Sequence, residues 1–396
     1  MQKTTNENNR ALDTSEIDSL IIVTSSYVYV PEDVLINSGV FVRDFARALT
    51  ERGVRVTVVT QHRSAAVLVD PGIEVIAYPW SGMDRQPVEL SFHRLSDYGH
   101  IWSLLHGGIN ALRGISVSDQ KVRCLCMWAV PAGYMAMKAL RGTGVPYDVW
   151  CLGSDIWHYG GKRFSRWLIK KILRNAQHLF ADGYVLRDDV QSLSRRNCTF
   201  LASSRMLSGE TEIVPRLVPG KPNLLFIGRW HPNKGVDLLP ETMRFLKNMG
   251  VDAHLHLFGG GTLQEELKTL ISKHGVENDI TLHGYADSGV AVAYLKACDV
   301  LIIPSRIESI PIIFSDAVKC RIPVVATDVG DLGMLIREHQ IGEVVRPNSP
   351  LMLAEGVQLV LKKDRSFFSQ QALRVARRFD VRAAAMTYLQ IIKTGA

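Results

Sequence analysis

The 396 residues suffice for two domains of ordinary size with separate cores, and 46% apolar with 21% charged residues is the make-up of a soluble globular protein. No run approaches eighteen apolar residues, which excludes a transmembrane helix. The net charge of +7 suits phosphate-bearing substrates, an anionic membrane or nucleic acid, but the basic residues are dispersed rather than clustered beside aromatics, which disfavours nucleic acid.

Residues 1–18 are polar, lack the apolar core of a signal peptide and read as a loose tail, so a cytoplasmic protein is expected. The first strand is 20–25. Gly39 opens an amphipathic helix carrying Val40, Phe41, Phe45, Ala48 and Leu49 on one side, Gly53 ends it, and 54–60 is the next strand. This βαβ unit lacks the G-x-G-x-x-G spacing of a dinucleotide fingerprint. A strand at 73–78, a loop with Trp80, Gly82 and Pro87, and a helix over 90–112 follow. Next come a strand at 122–128, a helix at 132–140 and a strand at 147–152. The helix at 164–174 sets Phe164, Trp167, Leu168 and Ile172 against Arg163, Arg166, Lys170, Lys171 and Arg174. Such a helix fits an anionic bilayer, and equally fits packing of its apolar face into the domain with the cations in water, the commoner arrangement. A strand, helix and strand over 178–201 complete a first domain at 19–203, and 204–222 reads as a linker.

The alternation restarts in a second domain, 223–379: strands at 224–228, 253–258, 280–283, 299–303, 322–326 and 344–346, with helices at 236–249, 263–274, 289–297, from Pro311, and 350–361. A final helix over 381–392 lies in 380–396. Strands alternating with helices imply two doubly wound parallel sheets. Cys124, Cys126, Cys151, Cys198, Cys298 and Cys320 are scattered without C-x-x-C pairs, so they read as buried free thiols rather than a metal site or disulfide framework.

Two stretches of the second domain carry chemistry. In LLFIGRWHPNKGVDLL (224–239) a strand ends at Gly228, and Arg229 and Lys234 follow in a loop before a helix. Two cations beside a helix N-terminus suit a diphosphate leaving group, whose developing charge they would stabilise without a metal; no D-x-D asks for one. In DVLIIPSRIESIPIIFSDAVKCRIPVVATD (299–328), Glu308 lies in a strand-to-helix loop and Asp316 eight residues later on the helix. Carboxylates accept hydrogen bonds from sugar diols, and the backbone N–H groups of Ser309, Ile310 and Ile312, after Pro311, favour a phosphate. Alone, Glu308 and Asp316 read as a solvated loop acid and a surface-helix acid. The cations upstream change the balance.

The stretch with Pro304, Ser305, Glu308, Ser309, Asp316, Ala317 and IPVVATDVG resembles the E-x7-E region of retaining glycosyltransferases of family 4, with the two-domain GT-B fold. Asp316 stands where that family has its second Glu, and Arg321 where it usually has Gly. The likeness implies two Rossmann-like domains facing across a cleft, with a nucleotide-sugar donor (UDP- or GDP-sugar) in the second and a carbohydrate or lipid-linked acceptor in the first, in polysaccharide or glycoconjugate biosynthesis. It implies that Arg229 and Lys234 bind the donor pyrophosphate, Glu308 contacts the sugar, residues 309–312 lend N–H groups and Asp316 holds the ribose. Gly228 and Gly284 would lie near the donor, as would Gly39, itself equally readable as a turn glycine. Gly153, Ser154 and Asp155 match the family's His-Gly-Ser-Asp, with Leu152 in the histidine position. Asp155 is then a polar group of the cleft or the N-cap of the next helix. No cofactor and no metal are implied. A non-catalytic nucleotide-sugar-binding subunit and a nucleotide-sugar epimerase stand as alternatives.

Overall fold

The computed structural model describes residues 17–28, 39–63, 70–83, 85, 90, 94–115, 121–157, 163–207 and 212–394. Pro87, Ser38 and nearly all of the 1–18 tail lie outside them. The first sheet contains β1 (Ser19–Val23), β2 (Arg55–Gln61), β3 (Ile73–Tyr78), β4 (Val122–Met127), β5 (Tyr147–Cys151), β6 (Leu179–Ala181) and β7 (Thr199–Phe200), in the order β3-β2-β1-β4-β5-β6-β7. The second contains β8 (Asn223–Ile227), β9 (His254–Phe258), β10 (Ile280–Gly284), β11 (Val300–Ile303), β12 (Val324–Thr327) and β13 (Gly342–Val345), in the order β10-β9-β8-β11-β12-β13. Every pairing is parallel, with Ile21 opposite Cys124 and Leu225 opposite Leu301 at the two reversals of strand order. The chain thus has two Rossmann-like parallel sheets, as its strand–helix alternation predicts.

The helices of the first half are α1 (Val40–Thr50), α2 (Tyr98–Arg113), α3 (Tyr134–Ala139), α4 (Ser154–Trp157), α5 (Arg163–Asn175) and α6 (Tyr184–Ser194). Those of the second are α7 (Leu239–Asn248), α8 (Gln264–His274), α9 (Ser288–Ala297), α10 (Ile312–Cys320), α11 (Leu332–His339), α12 (Pro350–Leu361), α13 (Arg365–Ala376) and α14 (Val381–Thr394). Near-continuous apolar strands such as LCM in β4 and VLII in β11 are buried on both faces, the requirement of a parallel sheet covered by helices on each side. The cysteines are free thiols, all buried except the half-buried Cys320.

Helix α14 returns to the first domain and packs on α1. Its Tyr388, fully buried, donates to Asp148 of β5 at 2.9 Å, beside the rings of Phe45 and Phe180. Burial alone would raise the Asp148 carboxyl, but His178 and Arg123 (Nε at 2.6 Å) outweigh it and hold the group below the usual carboxylate range. The helix expected at 90–112 begins later, at Tyr98 after a short 3-10 turn at Leu95–Asp97. Two further helices, α11 and α13, fall in stretches whose charged residues mask the period.

Candidate active site

Ligands of open α/β sheets bind beyond the C-terminal strand ends where the strand order reverses. In the second sheet that point lies between β8 and β11, and the loops leaving these strands are 228–235 and 304–311. Gly235 takes φ +67°, and any side chain there would overlap the carbonyl of Pro304, so only glycine lets the two loops close on each other. Arg306 fastens them: its N–H donates to Asn233 O at 2.8 Å and its guanidinium grips Asp237 at 2.8 and 2.7 Å. The outcome is an ion pair between Lys234 Nζ and Glu308 Oε2, with Ser305 Oγ 3.4 Å from the same oxygen. Both side chains remain partly open to solvent. Arg229, in the same loop just after β8, is exposed. With Lys234 it adds to the burial that lowers the His231 pKa.

Beside this pair, Gly259 N donates to Gly284 O at 2.6 Å, joining the ends of β9 and β10, and Gly228 N donates to Phe258 O at 3.1 Å. The ring of Tyr285, 44% exposed, lies across Gly260. Loop 309–312 faces the first domain. Ser309 and Ile310 are buried, and Ile312 packs against the cluster that holds Phe41, Trp150 and Leu201.

The seam between the domains is lined with acids. Asp331 reaches across to the first turn of α6, accepting from Tyr184 N at 2.7 Å and Val185 N at 3.0 Å. A side chain on Gly183 would overlap Ser309 and Asp331, so the backbones approach closely there. Asp182, at the end of β6, accepts from Ser203 Oγ at 3.1 Å, and burial, with the charges of Asp155 and Glu308, pushes its carboxyl up to about 7.

Two expectations change. Asp316 does not wall the cleft: it is 0% exposed, and its Oδ2 takes Arg205 Nε at 2.7 Å and Nη2 at 2.6 Å while its Oδ1 has no hydrogen-bond partner. The shorter aspartate keeps the carboxylate inside, where a linker arginine neutralises it; Lys319 Nζ holds that arginine's carbonyl at 2.7 Å. Asp155 is neither an open cleft group nor an N-cap. It lies inside α4, accepts from Ala129 N at 2.7 Å and Leu152 N at 3.3 Å, and burial pushes it up to about 6. Gly39 is needed for packing, since a side chain would overlap the backbone of Tyr27. Arg205, Arg306, Asp331 and Asp182 escaped sequence reasoning, because each acts through a distant partner. Trp128 is a further such residue: at φ +72° it is strained for a bulky side chain, at the cleft end of β4.

Sequence comparison gives this geometry its context. The family model "Glycosyl transferases group 1" matches residues 210–375, and "Glycosyl transferase 4-like domain" matches 38–198. The putative teichuronic acid biosynthesis glycosyltransferase TuaC of Bacillus subtilis is 28% identical over 243 residues, 58% of this chain and 59% of that one. The D-inositol 3-phosphate glycosyltransferase of Xylanimonas cellulosilytica is 31% identical over 182 residues, 43% of each. The aligned region thus spans well under two thirds of these curated relatives. Among solved structures, sucrose-phosphate synthase from Thermosynechococcus elongatus superposes with a TM-score of 0.73 at 16% identity, covering 95% of this chain and 98% of that one. Anabaena HepE in complex with UDP-glucose gives 0.69 at 13%, covering 95% and 99%. Residues 210–375 are thus a domain of the group 1 glycosyltransferase family and residues 38–198 a glycosyltransferase 4-like domain, together on the GT-B fold of the solved structures.

Proposed function

We propose that the chain is a retaining, metal-independent glycosyltransferase that moves a hexose from a UDP- or GDP-sugar to a glycan, lipid-linked or small-molecule acceptor. The observation that carries this reading is the Lys234–Glu308 ion pair at the reversal of the second sheet. With no donor bound, each charge neutralises the other. An arriving diphosphate offers Lys234 and Arg229 more negative charge, and Glu308 is released to accept from sugar hydroxyls. As the bond from the anomeric carbon to the terminal phosphate oxygen breaks, the two cations stabilise the oxyanion without a metal. The acceptor oxygen takes the vacated position and its proton passes to the phosphate. Tyr285 over Gly260 offers a face for the nucleotide base, consistent with UDP and UDP-glucose in the Anabaena HepE structures. Trp128 and the ends of β4 and β5 form the acceptor side.

Incubation with UDP- and GDP-sugars, acceptor and excess chelator tests this: nucleoside diphosphate release that depends on acceptor, with the anomeric configuration retained in the product, is expected. Loss of activity on chelation or an inverted product would refute it. The burial of Asp316 by Arg205 favours a second reading, a nucleotide-sugar-binding subunit without turnover. Tight diphosphate binding with no release under any acceptor would select it.

A further inference from the structure

We propose that Asp182 of the first domain is a positioning residue for the donor site: it seats Ser309, the neighbour of Glu308, and takes up a proton when a diphosphate draws Lys234 away from Glu308. The inference deepens the donor reading given above and rests on it. Loop 304–311 belongs to the second domain, yet the first domain holds its tip. Gly153 follows β5 at φ +91°, and a side chain on it would stand 3.7 Å from Ser309 Cβ. Gly183 follows β6, and a side chain there would overlap Ser309 Oγ. Behind the loop, a side chain on Gly330 would overlap the carbonyl of Glu308. Glycines on both sides thus admit the Glu308–Ser309 backbone into a slot too narrow for larger residues.

Beside this slot lies Asp182, 6% exposed, whose Oδ2 accepts from Ser203 Oγ at 3.1 Å. Neither its Oδ1 nor Ser309 Oγ has any other hydrogen-bond partner. Two buried polar groups left to each other hold position, because separating them would leave both unsatisfied. Ser309 is joined to Glu308 by one peptide bond, so seating the serine limits where the glutamate can reach. The titratable groups about Asp182 are Asp155 on α4, Cys151 on β5, Asp331 ahead of α11, and Glu308 itself. Burial raises the Asp182 carboxyl to about 7; the hydroxyls of Ser309 and Ser203 oppose this, and the charges of Asp155 and Glu308 add to it. With no donor bound, Lys234 offsets the Glu308 charge. A diphosphate that takes Lys234 leaves that charge uncompensated and adds its own, and like charges favour a neutral Asp182. The bound state therefore draws a proton from solvent, and by linkage the affinity falls as pH rises.

Calorimetric titration of UDP and GDP into the full chain between about pH 7 and 8.5, in HEPES and in Tris so that protons are counted, tests this. The parent should take up part of a proton per diphosphate bound and lose about threefold to tenfold in affinity across the range. Asp182→Asn keeps a partner for Ser309 but cannot titrate, so it should lose that uptake and flatten the pH dependence. It also separates Asp182 from His231, which feels the charge of Lys234 and is intact in the variant. Asp182→Ala, with nothing to hold Ser309, should bind about fivefold more weakly than Asp182→Asn, the scale of one lost hydrogen bond. No proton uptake by the parent, equal uptake by the parent and Asp182→Asn, or equal affinity of Asp182→Ala and Asp182→Asn would overturn the inference. A parent that binds neither diphosphate would refute the donor reading and the inference with it, whereas binding without proton linkage refutes the inference alone.

Discussion

The loops of the second domain and the seam beneath them are built by different means. Lys234 and Glu308 meet because two strands lie side by side at a sheet reversal, and residues inside the same loops (Gly235, Pro304, Arg306) set their path. The seam depends on partners far apart in the chain: Arg205 and Asp316 are 111 residues apart, Tyr184 and Asp331 147. Local pattern can specify the first kind of contact. Only the folded arrangement of the domains specifies the second.

If the loops carry the chemistry, the largest effect is kinetic. Glu308→Gln should cut kcat by about 10³-fold, the scale of a lost transition-state contact, while the thermal midpoint stays near that of the parent. A comparable loss of kcat from Asp331→Asn would erase the distinction between the regions. Next comes the buried pair. Arg205→Met leaves Asp316 charged and sealed at 0% exposure, which should cost about 3–5 kcal/mol in denaturant unfolding. A loss of nucleotide affinity without a loss of stability would instead restore Asp316 to the donor pocket.

The sequence showed both sheets and the loops holding Arg229, Lys234 and Glu308, because alternation of strands and helices and turn residues are local signals. It misplaced Asp316 and Asp155. An acid on a helix looks the same in one dimension whether it faces a ligand or an arginine from a linker. Phe164 and Trp167 misled for a related reason: a helix bearing two apolar sets, Ile169/Ile172/Leu173 and the aromatic pair, does not declare which one the domain buries.

Smaller effects separate the regions further. Asp182 has its folded carboxyl raised to about 7, against an unfolded value near 3.8, so its stability contribution is fully present below about 3.8 and is lost as pH rises through about 7. Replacement by Asn should therefore stabilise the chain by up to roughly 4 kcal/mol at pH 8 and by clearly less at pH 5. An equal gain at both pH values would mean that the buried charge is not the cause. Gly235→Ala should cost about 1–3 kcal/mol from its positive φ, and should weaken diphosphate binding as the loops part. Asp331→Ala removes the carboxylate over α6 and should cost about 1 kcal/mol, with a larger radius of gyration by X-ray scattering. An unchanged radius would mean that the contact does not hold the domains together.

The central claim, that Lys234 holds the donor diphosphate while Glu308 serves the sugar, is tested most directly by calorimetric titration of UDP and GDP into the parent chain, Lys234→Met and Glu308→Gln. The account predicts that the parent binds one of the two, that Lys234→Met loses about tenfold or more in affinity, and that Glu308→Gln binds at least as well as the parent, its lysine now free of a competing carboxylate. Equal affinity of the parent and Lys234→Met, or a loss confined to Glu308→Gln, would contradict it.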